Sequence, residues 1–216
     1  MFVEIIPSIL VKTKEEFEEK IKTAEEVAGV DRIHLDIADG SFVPNSTING
    51  FNEITNVSTD IKIGVHLMVQ KPENQIQRWL ETDVDKFVVH VESTKRMEQI
   101  INDLKENDKI VGIALNPNTS IDDLADYIDE IDFVHFMTVD PGFYGSKFVP
   151  EVIEKIKDFH FYYSDVPIEV DGSVNPETIG LLAEAGVSKF IVGSYFWKSK
   201  NKKEALETLN KIIENK

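Results

Sequence analysis

Apolar residues, many of them β-branched, recur along the chain in short runs, and segments long enough for a helix separate these runs. Strands that alternate with helices in this way form repeated βα units with a parallel sheet. Eight such units favour an α/β fold of the closed (β/α)8 barrel type, and an open doubly wound sheet is the alternative. The runs cover residues 3–9, 31–38, 62–69, 86–92, 109–116, 133–139, 167–172 and 189–194.

Capping signals predict where the helices begin and end. Thr13 and Glu16 form a capping box, and Gly29 is expected to end the helix that follows. No linker, low-complexity tract or block of charge separates one part of the chain from another. We therefore expect residues 1–216 to form a single barrel domain.

Polar residues interrupt several of the predicted strands close to their carboxyl ends. His34 and Asp36 are two residues apart, so their side chains share one face of a strand. In a barrel, the inward face at this end lies at the mouth, where active sites are built. His66 and Asp171 occupy comparable positions on their own strands. The four side chains are therefore predicted to converge.

Two imidazoles and two carboxylates are a suitable ligand set for Zn²⁺, Mn²⁺, Co²⁺ or Fe²⁺. The alternative is that His34 and His66 only hydrogen-bond to local polar groups. Four convergent groups favour a metal, because each buried charge needs a partner. His90 is expected to pack beside or support a ligand, while His135 and His160 are assigned ordinary packing roles.

Glycine-bearing turns follow the last three predicted strands, at residues 140–148, 171–178 and 193–197. Exposed backbone N–H groups in such turns suit a phosphate dianion, and barrel phosphate sites gather in this region. Plain loop geometry explains any one of these turns equally well, but three adjacent turns favour phosphate. Lys147 either adds positive charge there or is a solvated loop residue.

A metal, two carboxylates and a phosphate site together indicate chemistry on a small phosphorylated sugar. A metal that chelates a carbonyl and its neighbouring hydroxyl lowers the cost of forming an enediolate. Carboxylates on opposite faces of that planar species can remove a proton from one side and return one to the other. The predicted reaction is an epimerisation.

The amino-acid composition limits which partners the protein is expected to bind and in which cellular compartment it is expected to work. The net charge of −16 argues against nucleic acid or an anionic membrane, since both are polyanions. The absence of cysteine excludes disulfides, thiolate metal sites and cysteine nucleophiles. Residues 1–10 do not have the pattern of a signal peptide, and no apolar stretch approaches the length of a membrane span. We expect a cytoplasmic protein.

Seven segments, in order over nearly the whole chain, resemble the ribulose-phosphate 3-epimerase family. Together the seven segments are specific to this family, although each segment alone is weak evidence. The segments are PSIL (7–10), HLDIADGSFVPN (34–45), HLMV (66–69), ALNPNT (114–119), MTVDPGFYGSKF (137–148), EVDGSVN (169–175) and VGS (192–194).

The resemblance implies a TIM barrel with one divalent metal ion, zinc before iron, manganese or cobalt, held by His34, Asp36, His66 and Asp171. It implies that Asp36 and Asp171 are the acid/base pair, and that Ser8 and His66 help to position the substrate. It also implies a sugar phosphate as ligand, and we expect a homo-oligomer. The phosphate is assigned to the turns that contain Gly142, Gly145, Ser146, Gly172, Ser173, Gly193 and Ser194.

The implied reaction converts D-ribulose 5-phosphate to D-xylulose 5-phosphate in the pentose phosphate pathway. Asp140 and the Asp-Gly-Ser at 171–173 are similar to the branch that interconverts D-allulose 6-phosphate and D-fructose 6-phosphate, which is the alternative substrate pair. Ala38 matches neither branch and is expected to leave extra room near the substrate. The remaining departures from the family pattern, which also surround the substrate, are Tyr144, Ser146 and Ser173.

Two other classes of function are weighed against the epimerase. Barrels related to orotidine-phosphate decarboxylase carry a lysine between two aspartates on a strand, and the run Asp36-Ile37-Ala38-Asp39 has none. A non-catalytic barrel that binds a sugar phosphate stays open as an alternative. The complete acid/base pair argues against it, because a binding protein needs neither carboxylate.

Overall fold

The computed structural model describes residues 3–142 and 145–215, in which eight parallel strands close into a barrel in chain order. Each strand pairs with its neighbour in sequence, and the first pairs with the last. The predicted (β/α)8 barrel is confirmed. The strands are β1 (Glu4–Ile9), β2 (Arg32–Ala38), β3 (Lys62–Met68), β4 (Lys86–His90), β5 (Ile110–Leu115), β6 (Phe133–Met137), β7 (Ile168–Asp171) and β8 (Lys189–Val192).

Helices pack around the barrel as an outer layer. In the described ranges they are α1 (Lys14–Glu25), α2 (Phe51–Asn56), α3 (Ile76–Trp79), α4 (Met97–Lys105), α5 (Val152–Tyr162), α6 (Ile179–Glu184), α7 (Ser194–Lys198) and α8 (Lys202–Glu214). Short 3₁₀ helices cover Pro72–Asn74, Val91–Ser93 and Ile121–Leu124. The connection between β5 and β6 holds the last of these in place of an α-helix, and it is rich in aspartate, which forms helices poorly. Within the same ranges, no helix is both long and apolar enough to cross a lipid bilayer.

Helix α1 begins where its capping signal predicts and ends earlier than predicted. The Thr13 side chain accepts a hydrogen bond from the Glu16 N–H at 3.2 Å. The buried face carries Phe17, Ile21 and Ala24, at the spacing of one helical stripe. The helix stops at Glu25, because the next turn tightens and the Val27 N–H bonds to the Ala24 carbonyl. Gly29 lies in the turn beyond.

Successive side chains of each strand point alternately out of and into the barrel, and they therefore pack in two different environments. Residues such as Leu35, Val65 and Phe87 point outward and form the large apolar core beneath the helices. Val88, Ala114 and Phe133 form a smaller cluster of their own inside the barrel. Elsewhere on the inward faces, several strands carry polar side chains, and these form the candidate site.

Candidate active site

The structure brings together the four residues that the sequence predicts as metal ligands. His34 and Asp36 share the inward face of β2, and Asp36 pairs in register with His66 on β3. Asp171 is the last residue of β7, so it lies at the same mouth of the barrel. His34, Asp36 and His66 are all buried, and the Asp171 side chain is 15% exposed.

Asp36 and Asp171 both approach His66. The Nδ1 atom of His66 lies 3.2 Å from Asp36 Oδ1 and 3.9 Å from Asp171 Oδ2. His34 Nε2 lies 3.6 Å from the same Asp36 oxygen. A ring nitrogen of His34 and one of His66 therefore each lie within 4 Å of the Asp36 carboxylate at the base of the mouth.

A histidine that the sequence interpretation missed also belongs to this cluster. One ligand atom each from His34, His66, His135 and Asp171 lie within 4.8 Å of one another. The sequence predicts only a packing role for His135. It lies on β6 with its ring stacked on that of His34, at a centroid separation of 5.5 Å. The sequence carries no signal for its direction, because His135 stands in a strand whose other residues are all apolar.

The chemistry of these donors fits a divalent metal ion. Among the described residues, the buried Nε2 atoms of His34 and His135 have no hydrogen-bond partner. Burial lowers the pKa of the His34 and His66 rings well below the ordinary value, so they are neutral and offer lone pairs. Burial, followed by the charge of Glu169, raises the pKa of Asp171 to about 7. A cation would offset the cost of holding ionised carboxylates here. The cluster could therefore hold a metal.

His90 supports the cluster from behind, as its predicted role requires. Its Nε2 atom lies 2.9 Å from Nε2 of His66, and its Nδ1 atom lies 3.2 Å from the Glu92 carboxylate. Glu92 also accepts hydrogen bonds from the Asn116 N–H at 2.8 Å and from the Thr119 hydroxyl. His66 is therefore held by a chain of hydrogen bonds that ends in the loop after β5.

A pocket opens above the cluster and collects most of the residues predicted to bind substrate. His66 lies beneath this pocket and does not line it. Tyr144 lies outside the described residues, so its predicted place beside the substrate is not described. The predicted residues that line the pocket are Ser8, Asp36, Gly142, Gly145, Ser146, Asp171, Gly172, Ser173, Gly193 and Ser194.

The glycine turns on one side of the pocket have the backbone conformation that glycine favours. Gly142, Gly145 and Gly172 have φ angles of 109°, 78° and 116°. Ser173 also has a positive φ, of 48°, and its hydroxyl donates to the Ser146 carbonyl at 2.6 Å. The turns after β6 and β7 are thus tied together around the pocket.

Of the departures from the family pattern, Ser146 and Ser173 line this pocket, whereas Ala38 and Asp140 do not. Ala38 is buried and packs with Val43 and Met68. Met68 itself lines the pocket. Asp140 is exposed and is not among the lining residues. Lys147 is exposed too, which fits the solvated loop role.

The fold and the cluster define a TIM-barrel protein with a metal-competent His/Asp centre under glycine-bearing turns. Residues 4–197 match the profile of the "Ribulose-phosphate 3 epimerase family". The chain belongs to this family.

Similar proteins cover almost the whole chain. A "Ribulose-phosphate 3-epimerase" of Bacillus subtilis is 35% identical over 96% of this chain and 98% of its own length. A chloroplastic ribulose-5-phosphate-3-epimerase of Arabidopsis thaliana is 34% identical over 94% of this chain and 74% of its own. Among solved structures, KGPDC from Streptococcus mutans aligns with a TM-score of 0.72 over 100% of this chain and 99% of that one. At 12% identity, this last likeness concerns the fold alone.

Proposed function

We propose that this protein is an isomerase that inverts C3 of D-ribulose 5-phosphate to give D-xylulose 5-phosphate. One observation carries the proposal: two carboxylates on separate strands, Asp36 and Asp171, face one pocket beside His66. Inversion needs a proton-transferring group on each side of the reacting carbon. Family membership and the named relatives support the same reaction.

The phosphate would bind to the backbone of the turns around Gly142, Gly172 and Gly193, which line the pocket together. A dianion held there by N–H groups does not depend on the overall negative charge of the protein. Its remote binding energy would fix the sugar so that C3 lies between the two carboxylates.

The two carboxylates would start the reaction in opposite protonation states. Burial, followed by the charge of Asp171, raises the pKa of Asp36 well above its ordinary value. Inversion needs one of the two carboxyl groups ionised and the other protonated when the substrate binds. The ionised group removes the C3 proton from one face, and the protonated group delivers its proton to the other face. Their roles exchange in the reverse direction, so no net proton is gained or lost.

The residues that would hold a metal are His34, His66 and Asp171, with Asp36 as the further ligand that the sequence predicts. A bound divalent ion supplies a Lewis acid that polarises the substrate oxygens and so makes the C3 proton more acidic. Imidazole and carboxylate donors suit zinc, which we propose ahead of iron, manganese or cobalt. A cytoplasmic location and a homo-oligomeric state are further proposals, and both rest on the sequence.

A coupled assay against two substrates tests the proposal. The metal-loaded protein is expected to turn over ribulose 5-phosphate with a higher kcat/KM than allulose 6-phosphate. The reverse order would assign the protein to the ketohexose reaction. Binding of both sugars without turnover of either would instead identify a non-catalytic sugar-phosphate barrel.

A further inference from the structure

A buried chain of three charged or polar side chains lies directly beneath the cluster. Glu169 is on β7, two residues before Asp171, so both point inward and Glu169 lies one layer deeper. It accepts a hydrogen bond from the Lys86 ammonium group, which reaches across from β4. Its other oxygen lies 2.9 Å from Nδ1 of His135. Lys86, His135 and Glu169 are all buried.

The barrel is built to let this lysine cross its interior. The Lys86 stem lies against Gly64, where a Cβ atom would come within 3.3 Å of the Lys86 Cβ. The Lys86 ammonium lies 4.4 Å from the centroid of the Phe133 ring. The Phe133 ring in turn occupies the space beside Gly112, where a Cβ would lie 2.2 Å from it. The fold thus accommodates a buried ion pair, although apolar side chains would fill the same space at less cost.

The ion pair determines which nitrogen of His135 is available. A carboxylate only accepts hydrogen bonds, so Nδ1 of His135 carries the proton that Glu169 receives. Nε2 is then the unprotonated nitrogen, and it is the fully buried atom that has no partner among the described residues. Ligand atoms of His34, His66, His135 and Asp171, one from each residue, all lie within 4.8 Å of one another. A histidine that donates one ring N–H to a carboxylate while its other nitrogen faces a ligand site is the usual arrangement at metal centres.

We propose that His135 is a ligand of the divalent ion and that the Lys86–Glu169 pair positions its ring. This rests on the proposed function only in that the cluster holds a metal. His135 then adds a third imidazole beside the ligands His34, His66 and Asp171, with Asp36 as the further ligand that the sequence predicts.

The number of ligand histidines tests the proposal in the wild-type protein. In the Co²⁺-loaded protein, NMR is expected to show paramagnetically shifted ring signals from three histidines. His135→Leu should remove one of the three sets and weaken Co²⁺ binding by at least about 10-fold. His160→Leu, at a histidine on α5 outside the barrel, is the matched control and should change neither result. Two sets in the wild-type protein, both unchanged in a folded His135→Leu variant, would overturn the proposal.

A second variant tests the positioning role without leaving a buried charge unpaired. The Lys86→Met/Glu169→Leu double variant removes the support and is expected to weaken Co²⁺ binding by about 10-fold to 100-fold. Arg32→Met/Asp85→Leu, which removes an ion pair at the amino-terminal end of β2, should leave the affinity unchanged. An unchanged affinity in the first double variant would overturn the positioning role.

Epimerase activity of the wild-type protein, measured alongside, separates the two proposals. If the wild-type protein is active but binds Co²⁺ through only two histidines, the role of His135 is overturned and the proposed function stands. A wild-type protein that binds Co²⁺ through three histidines without epimerising any ketose phosphate would support the role of His135 and contradict the proposed function.

Discussion

Nε2 of His66 lies 2.9 Å from Nε2 of His90, so two buried imidazoles share one hydrogen bond. Because Glu92 only accepts, the His90 nitrogen beside it, Nδ1, carries the proton. When His90 is neutral, its Nε2 is the acceptor and His66 donates to it. The lone pair on Nδ1 of His66 then faces the oxygens of Asp36 and Asp171, an arrangement that a bound cation would stabilise. A carboxylate at the rim thus determines how a histidine at the centre presents its lone pair.

Replacing Glu92 by Gln should destabilise the protein at neutral pH. Burial alone would raise the pKa of this carboxyl, but hydrogen bonds from His90, Thr119 and the Asn116 N–H outweigh it and lower the pKa to about 2. Because hydrogen bonds to a charged group are lost, we expect Glu92→Gln to lower the free energy of unfolding at pH 7 by about 1.5–3 kcal/mol. Urea unfolding of both proteins measures the difference.

The pH dependence of that difference has a defined sign. The pKa of Glu92 is lower in the folded than in the unfolded chain, whose value is near 4.5. Its stabilising contribution is therefore complete above about pH 4.5 and declines as pH falls toward the folded value. The gap between wild type and Glu92→Gln should narrow below pH 4.5. Glu154→Gln, at an exposed residue on α5, should show no such gap, and a gap for Glu92→Gln that is constant with pH would contradict the account.

The sequence predicts the barrel and most of the site. Where polar and apolar residues alternate along a strand, the pattern shows which side chains point into the barrel. His34 and Asp36 on β2 follow this rule. On β6 every residue is buried, so the run around His135 shows no alternation from which its direction could be read. The Lys86–Glu169 contact joins residues 83 positions apart and depends on how the barrel closes, which a single sequence does not specify. The missed residues are therefore those that meet across the interior.

The space beside Gly112 should tolerate no side chain. A Cβ there would lie 2.2 Å from the Phe133 ring, which is fully buried. We expect Gly112→Ala to lower the free energy of unfolding by about 1–3 kcal/mol, the usual cost of overpacking. Phe133→Leu in the same chain should recover part of that loss, since it shortens the clashing side chain. Thermal unfolding of the wild type and the two variants measures both effects, and equal stability of Gly112→Ala and wild type would rule out the clash.

Recognition of the phosphate should dominate substrate preference. Two charge-assisted hydrogen bonds, at about 1.5–3 kcal/mol each, correspond to roughly 10²-fold to 10⁴-fold in kcat/KM for ribulose 5-phosphate over ribulose. Ser194→Asp places a negative charge in the pocket and should raise KM for the phosphorylated sugar. Ser58→Asp, at an exposed residue just before β3, should have no effect. Equal kcat/KM values for ribulose and ribulose 5-phosphate in the wild-type protein would contradict phosphate binding at these turns.

Replacing either Asp36 or Asp171 by Asn should abolish most of the turnover while leaving the metal centre in place. An asparagine oxygen can still contact a metal but cannot accept the C3 proton. We therefore expect Asp36→Asn and Asp171→Asn each to lose about 10² to 10⁴ in kcat, the usual contribution of a general acid or base. Metal content, measured by elemental analysis, should stay near the wild-type value. Asp31→Asn, at an exposed residue just before β2, is the matched control.

Exchange of the C3 hydrogen with deuterated solvent distinguishes the two carboxylates. Each variant keeps one competent face, so Asp36→Asn should still exchange the hydrogen of one C3 epimer and Asp171→Asn that of the other. NMR of each sugar phosphate after incubation in D₂O gives the result directly. Since the carboxylates come from β2 and β7, a one-base mechanism would instead abolish exchange for both epimers in one variant and for neither in the other. Wild-type epimerisation with normal exchange in either variant would show that its carboxylate takes no part in proton transfer.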